Sequence, residues 1–172
     1  MDKDMTALIR DIPDFPIQGI LFRDITTLLK DGPAFRYAID TLGDRLQDLK
    51  PDKVVGIESR GFIIGAPIAY KLGAGFVIVR KLGKLPAETI TAEYELEYGT
   101  NSVEMHRDAI SPGERVVIVD DLLATGGTTQ ATIELVEQLE GKIVALAFLI
   151  ELTDLGARDF LQGQNIVTLI QY

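Results

Sequence analysis

With a net charge of −9 over 172 residues, the chain lacks the basic surface that broad binding to nucleic acid or an anionic membrane requires. Hydrophobic residues make up 47% and cysteine is absent, which gives one globular domain with a sizeable core and excludes disulfides and thiolate metal sites. No basic stretch leads into an apolar run at the amino terminus, and the longest apolar run, residues 143–150, is too short to span a bilayer, so a soluble cytoplasmic protein is expected.

Residues 6–11 read as an amphipathic helix. Pro13, Pro16 and Gly19 break that pattern, and residues 19–24 follow as an extended segment. Its Phe22, beside Arg23 and Asp24, suits a cover over a planar ligand; a core phenylalanine next to a salt bridge is the other reading. Phe35, Ile39, Leu42, Leu46 and Leu49 share one face of a helix over residues 33–49, which Pro51 ends. KVVGI (53–57) is a buried strand, and Glu58-Ser59-Arg60-Gly61 turns it into an apolar helix over residues 62–72. Such a turn can hold an anion through Arg60 and the helix N-terminus, or it is a plain strand-to-helix connection with an exposed arginine.

A third buried strand, residues 75–79, runs into Arg80-Lys81 and then Gly83-Lys84-Leu85-Pro86. Three cations in a Gly/Pro loop fit a flap over a polyanion, or a solvated basic loop. Residues 88–106 alternate weakly around Gly99, as a hairpin arm does, with Glu97 near its tip; a lone glutamate in an acidic protein is most often surface. His106, the sole histidine, receives no role.

VVIVDDLLATGGTT (116–129) carries the most chemistry. A buried strand, residues 116–119, ends in Asp120 and Asp121. Gly126-Gly127 then opens a helix over residues 130–139. Backbone N–H groups at a helix N-terminus favour an anion, the glycines leave its approach clear, and Thr128 or Thr129 can cap the helix or donate a hydroxyl. The carboxylates suit hydroxyls or a metal-bearing group beside the anion. A helix cap with acidic residues near the dipole explains Asp121 or Thr128 singly, not the pair together with the glycines. Neither GxxxxGK[ST] nor GxGxxG occurs. A strand over residues 142–150, a short helix over 154–161 and a last strand over 166–170 complete an α/β pattern with a parallel sheet. Its turns at Glu58, Arg80 and Asp120 fall on one edge, where open α/β sheets bind ligands.

These stretches resemble a known family. VVIVDDLLATGGTT is similar to the phosphoribosyl-diphosphate motif of the type I phosphoribosyltransferases. PDFPIQGILFRDIT, VVGIESRGFIIGAP, VRKLGKLP, LEYGT and FLIELTDLGARDFL narrow the likeness to the branch that uses adenine, from about residue 12 to 172. The resemblance implies a central parallel sheet flanked by helices, with a small hood (about residues 12–28 with 151–172) and a β-hairpin flap (about 80–107). It implies purine salvage: adenine and 5-phosphoribosyl 1-diphosphate give AMP and diphosphate, with Mg²⁺ held mainly by the substrate and no protein metal cage. By position, Asp120 and Asp121 take the ribose hydroxyls, and Ala124, Thr125, Gly126, Gly127 and Thr128 wrap the 5′-phosphate. Ser59 and Arg60 hold the diphosphate in a turn that carries a non-proline cis peptide. Arg80, Lys81 and Lys84 serve the flap and the diphosphate. Phe22 and Leu152 sandwich adenine, Leu21 and Arg23 read its edge largely through backbone groups, and Glu97 is the general acid/base, with Arg60 and Lys84 beside it in catalysis. The resemblance also implies a homodimer. Gln18 stands where the family usually has proline before the hood glycine, which loosens that loop and implies weaker adenine binding. A transferase for another purine, or a non-catalytic sensor of the diphosphate sugar, are the competing readings; the GILFRD and LEYG segments oppose the first, and the chain's length and charge leave no room for a DNA-binding appendage.

Overall fold

The computed structural model describes residues 5–95 and 100–172. Its centre is a seven-stranded sheet in the order β5-β6-β4-β3-β7-β8-β9. β3 (Lys53–Ile57), β4 (Gly75–Lys81), β7 (Arg115–Leu123), β8 (Lys142–Glu151) and β9 (Ile166–Gln171) run parallel. β5 (Thr89–Glu95) and β6 (Thr100–His106) form an antiparallel hairpin, joined to β4 through Arg80↔Glu104 and Lys81↔Val103. The flap arm is therefore continuous with the main sheet.

The near-unbroken apolar runs of β7 and β8 follow from burial on both faces. On one face Val117 and Val119 pack with Ile64 and Ile68 of α3 (Arg60–Leu72) and Leu42 of α2 (Gly32–Leu46). On the other, Val116 and Ile118 pack with Ile133 and Leu135 of α4 (Gly127–Gln138). α2 starts one residue before the expected Pro33 because Asp31 caps it, accepting from the Ala34 N–H at 2.9 Å. It ends at Leu46 and passes into a 3₁₀ turn, Gln47–Leu49.

The amino-terminal segment differs from the expected helix. Only Thr6–Leu8 forms a 3₁₀ turn; β1 (Arg10–Pro13) then pairs antiparallel with β2 (Leu21–Asp24) in a separate two-stranded sheet. Cross-strand charges match this pairing. Arg10 lies opposite Asp24 and Asp11 opposite Arg23, and both pairs close as ion pairs at 2.5 Å. A four-residue α1 (Thr26–Leu29) follows, and the expected helix over 154–161 divides into a 3₁₀ turn, Thr153–Leu155, and α5 (Ala157–Phe160). No helix of the described residues is long and apolar enough to cross a membrane.

Candidate active site

β3 leads to β4 on one side of the sheet, whereas β7 leads to β8 and β9 on the other. The sheet thus reverses direction between β3 and β7, and their carboxyl ends form the crevice in which ligands bind. β7 runs through Leu123, so Asp120 and Asp121 lie within the strand rather than after it. Strand alternation then sends them to different neighbours. Asp121 continues the Val117–Val119 face and meets Arg60, whose Nε donates to Oδ2 at 2.6 Å. Asp120 continues the Val116–Ile118 face and lines a cavity of about 120 Å³ with Ala124, Thr125, Gly126, Gly127 and Thr128. Burial, and next the charge of Asp121, push the Asp120 carboxyl well above the usual carboxylate range.

The β3–α3 turn is seated directly on this strand end. The Glu58–Ser59 peptide is cis, as the resemblance implies. A Cβ at Gly61 would stand 2.9 Å from both Asp120 Oδ1 and the Val119 carbonyl, so only glycine lets α3 approach so closely. Ser59 occupies the N-cap position of α3 without a side-chain capping bond.

The loop after β7 meets α4 one turn earlier than expected. Gly126 is the N-cap and α4 begins at Gly127, so Thr128 and Thr129 lie in the first turn rather than at the cap. Gly126 has φ +92, and a Cβ there would press on Phe160 and Leu161 at 3.1 and 3.2 Å. Gly127, Thr128 and Thr129 of this first turn line the cavity, and the first N–H groups of a helix have no partner within it.

The cations of the flap converge on an acid that received no role in sequence, Glu58. Its carboxylate accepts from Arg80 Nε and Nη2, each at 3.3 Å, from Lys84 Nζ at 2.5 Å and from the Lys81 backbone N–H at 3.1 Å. Burial alone would raise its pKa, but the Lys84 and Arg80 bonds outweigh it and hold the carboxyl at about 2. Glu104, 3% exposed, accepts from the N–H groups of Lys84 and Leu85, both at 2.8 Å. The side chain of Lys81 is at the surface. Glu97 lies outside the described residues. Among the described residues, no group of three or more His, Cys, Asp or Glu is placed to hold a metal.

Phe22 stands beside this site, with the Arg60 guanidinium 5.3 Å from its ring centroid and Phe15 packed edge-on at 5.1 Å. Leu21 is 45% exposed. Arg23 turns away, pairing with Asp11 and lying 3.7 Å over the Tyr172 ring, which leaves only its backbone for a ligand at the β2 edge. Leu152 is half-buried at the carboxyl end of β8, its N–H bonded to the Leu123 carbonyl at 2.9 Å. Beneath it, Glu151 is 2% exposed and binds Arg158, Thr168 and Gln171.

Residues 26–160 match the model of the phosphoribosyl transferase domain. The adenine phosphoribosyltransferase of Alkaliphilus oremlandii is 59% identical over 169 residues, covering 98% of each chain. The crystal structure of the adenine phosphoribosyltransferase of Thermoanaerobacter pseudethanolicus is 56% identical and superimposes with a TM-score of 0.96 over 98% of both chains. That of Saccharomyces cerevisiae, solved in complex with an imino-altritol bisphosphate and adenine, is 41% identical, with a TM-score of 0.91 over 96% of both chains. Family model, full-length identity and superposition agree: the chain belongs to the phosphoribosyl transferase family, among the adenine phosphoribosyltransferases.

Proposed function

We propose that the chain transfers a 5-phosphoribosyl group from its 1-diphosphate to adenine, giving AMP and diphosphate, as a cytoplasmic salvage enzyme. The observation that carries this is Arg60, which touches the carboxylate strand end at Asp121 and faces the Phe22 ring. Donor and base would therefore meet across one guanidinium. The loop of Ala124, Thr125, Gly126, Gly127 and Thr128 takes the 5′-phosphate. Asp120 and Asp121 take the ribose hydroxyls; a carboxyl as high in pKa as that of Asp120 can donate a hydrogen bond to a hydroxyl as well as accept one.

Bond formation between the adenine nitrogen and C1 accompanies cleavage of the C1–diphosphate bond, through an oxocarbenium-like transition state. Charge on the departing diphosphate is met by Ser59, Arg60, Arg80, Lys81 and Lys84. Phe22 and Leu152 hold the two faces of adenine, while the backbone of Leu21 and Arg23 reads its edge. Glu97 handles the proton at the purine ring. Closing the flap excludes water that would otherwise hydrolyse the donor.

Mg²⁺ prefers phosphate oxygens and water to a protein cage, so it would be held mainly by the substrate. When bound, the ion would add charge neutralisation of the diphosphate. A homodimer belongs to the same reading. Ile63 and Tyr70, 44% and 91% exposed on α3, offer apolar surface for a second copy, which sedimentation tests. The activity is tested by steady-state assays with adenine, hypoxanthine and guanine. Adenine is expected to dominate, and a preference for hypoxanthine would overturn the assignment.

A further inference from the structure

Two carboxylates hold the flap loop, and they hold different parts of it. Glu104 binds backbone, the N–H groups of Lys84 and Leu85. Those bonds compete with no ligand that the side chains could take, so Glu104 fixes the base of the loop. Glu58 binds the cationic groups themselves, the Arg80 guanidinium and the Lys84 ammonium. Its own backbone is tied to β4 by a Glu58 N–H bond to the Val79 carbonyl at 2.9 Å, and its side chain is only 12% exposed against 32% for Arg80 and 45% for Lys84. The acid is the fixed partner and the cations are the movable ones.

Glu58 directly precedes Ser59 and Arg60. A diphosphate at the α3 N-terminus would therefore stand beside the cations that Glu58 occupies. Both Arg80 contacts measure 3.3 Å, longer than the 2.7–2.9 Å typical of charge-assisted bonds, so the guanidinium is the easier of the two to recruit. The other charged groups of this region are Arg60 at the start of α3, Asp121 in β7 and Glu104 in β6. Asp121 and Glu104 are already satisfied, by Arg60 and by loop N–H groups. That leaves Glu58 as the competitor for Arg80 and Lys84.

We propose that Glu58 is a positioning residue that competes with diphosphate for Arg80 and Lys84, keeping these cations in place while weakening diphosphate binding enough for release. The inference rests on the diphosphate site assigned above. An enzyme whose flap cations met only the diphosphate would bind donor and product alike too tightly, and uniform tight binding does not raise turnover.

The test is calorimetric titration of inorganic diphosphate with Mg²⁺ into the full-length wild type, Glu58→Gln and Glu58→Asp. Glu58→Gln is expected to bind diphosphate about tenfold more tightly, the effect of removing one charge-assisted competitor, with kcat and the donor KM both lowered. Glu58→Asp restores the charge and is expected to return toward wild type. Equal or weaker diphosphate binding by Glu58→Gln, at unchanged thermal stability, overturns the inference alone. Absence of diphosphate binding by the wild type overturns the site assignment as well. Should Glu58→Gln fail to fold, the wild type still decides. The Lys84 resonance of isotope-labelled enzyme must shift on adding diphosphate with Mg²⁺, and a resonance that stays fixed while diphosphate binds rejects the exchange.

Discussion

Replacing Glu151 by Gln isolates one buried charge without changing side-chain size. In the native protein Oε1 accepts from Arg158 Nε at 2.6 Å, while Oε2 accepts from Arg158 Nη2, Thr168 Oγ1 and Gln171 Nε2 at 2.8, 3.0 and 2.9 Å. Glutamine keeps one oxygen, which can serve the three donors at the Oε2 position. Its amide nitrogen then faces the Arg158 Nε–H, donor against donor. The loss is one hydrogen bond to a charged acceptor, about 2 kcal/mol, or a fall in Tm of about 4–8 °C for a domain of this size. The Arg158 bonds, followed by Gln171 and Thr168, lower the Glu151 pKa against the opposing effect of burial. A carboxylate with a lowered pKa stabilises the fold fully above its unfolded value of 4.5, and that contribution fades as pH falls through the folded value. Glutamine has no such dependence, so the stability gap between wild type and variant should narrow below about pH 4.5. Urea unfolding across pH 3.5–7 measures this. The donor KM should also rise, because Arg158 anchors α5, whose Phe160 adjoins Gly126 at the phosphate loop. A variant as stable as wild type at pH 7, or a gap independent of pH, would refute the reasoning.

Gly61→Ala is expected to destabilise by about 1–3 kcal/mol, the usual effect of overpacking, since the new Cβ meets the immobile Val119 carbonyl as well as Asp120 at 2.9 Å; donor affinity by calorimetry should fall with it, and retention of both would mean that α3 can retreat. Phe22→Ala removes the ring that Phe15 and Arg60 flank; the adenine KM should rise while diphosphate binding is retained, and an unchanged adenine KM removes Phe22 from the base site. Glu97→Ala should lower kcat by about 10²-fold or more, as loss of an acid/base group does, with the donor dissociation constant nearly constant; wild-type turnover excludes Glu97 from the proton transfer.

Buried strands and the crevice at their ends were legible because apolar runs and glycine turns are local signals. KVVGI reads as a strand and is one, with the same bounds. VVIVDDLLATGGTT shows a strand, an acidic pair and a helix start, and only their junctions move. Pairing with β8 carries β7 three residues past Asp120, and Gly126 at φ +92 takes the cap position from the threonines. What sequence could not show was pairing at a distance. Residues 6–11 have helical spacing, yet Arg10 and Asp11 find their partners across the chain in Asp24 and Arg23. Glu58 passed as part of a turn and Glu104 drew no reading, because their partners lie 19 to 26 residues away. A carboxylate closing a buried strand, or sitting between the apolar Val103 and Met105, is the signal that could have flagged each.

An acidic chain handling a polyanion is a contradiction only at the level of net charge. Three of the basic groups at the crevice already have an acidic partner: Asp121 for Arg60, Glu58 for Arg80 and Lys84. The acid fixes where the cation sits, so little rotamer freedom is lost when a ligand arrives. It also makes binding an exchange of one anion for another rather than the neutralisation of a bare positive patch. Unpaired lysines would attract any phosphate at long range. Paired ones answer to an anion that presents several oxygens at once to Arg60, Arg80 and Lys84. On the proposed assignment, the two phosphoryl groups of a diphosphate would span these cations more fully than a single phosphoryl group, so the carboxylates as well as the cations would help to distinguish the two ends of the donor.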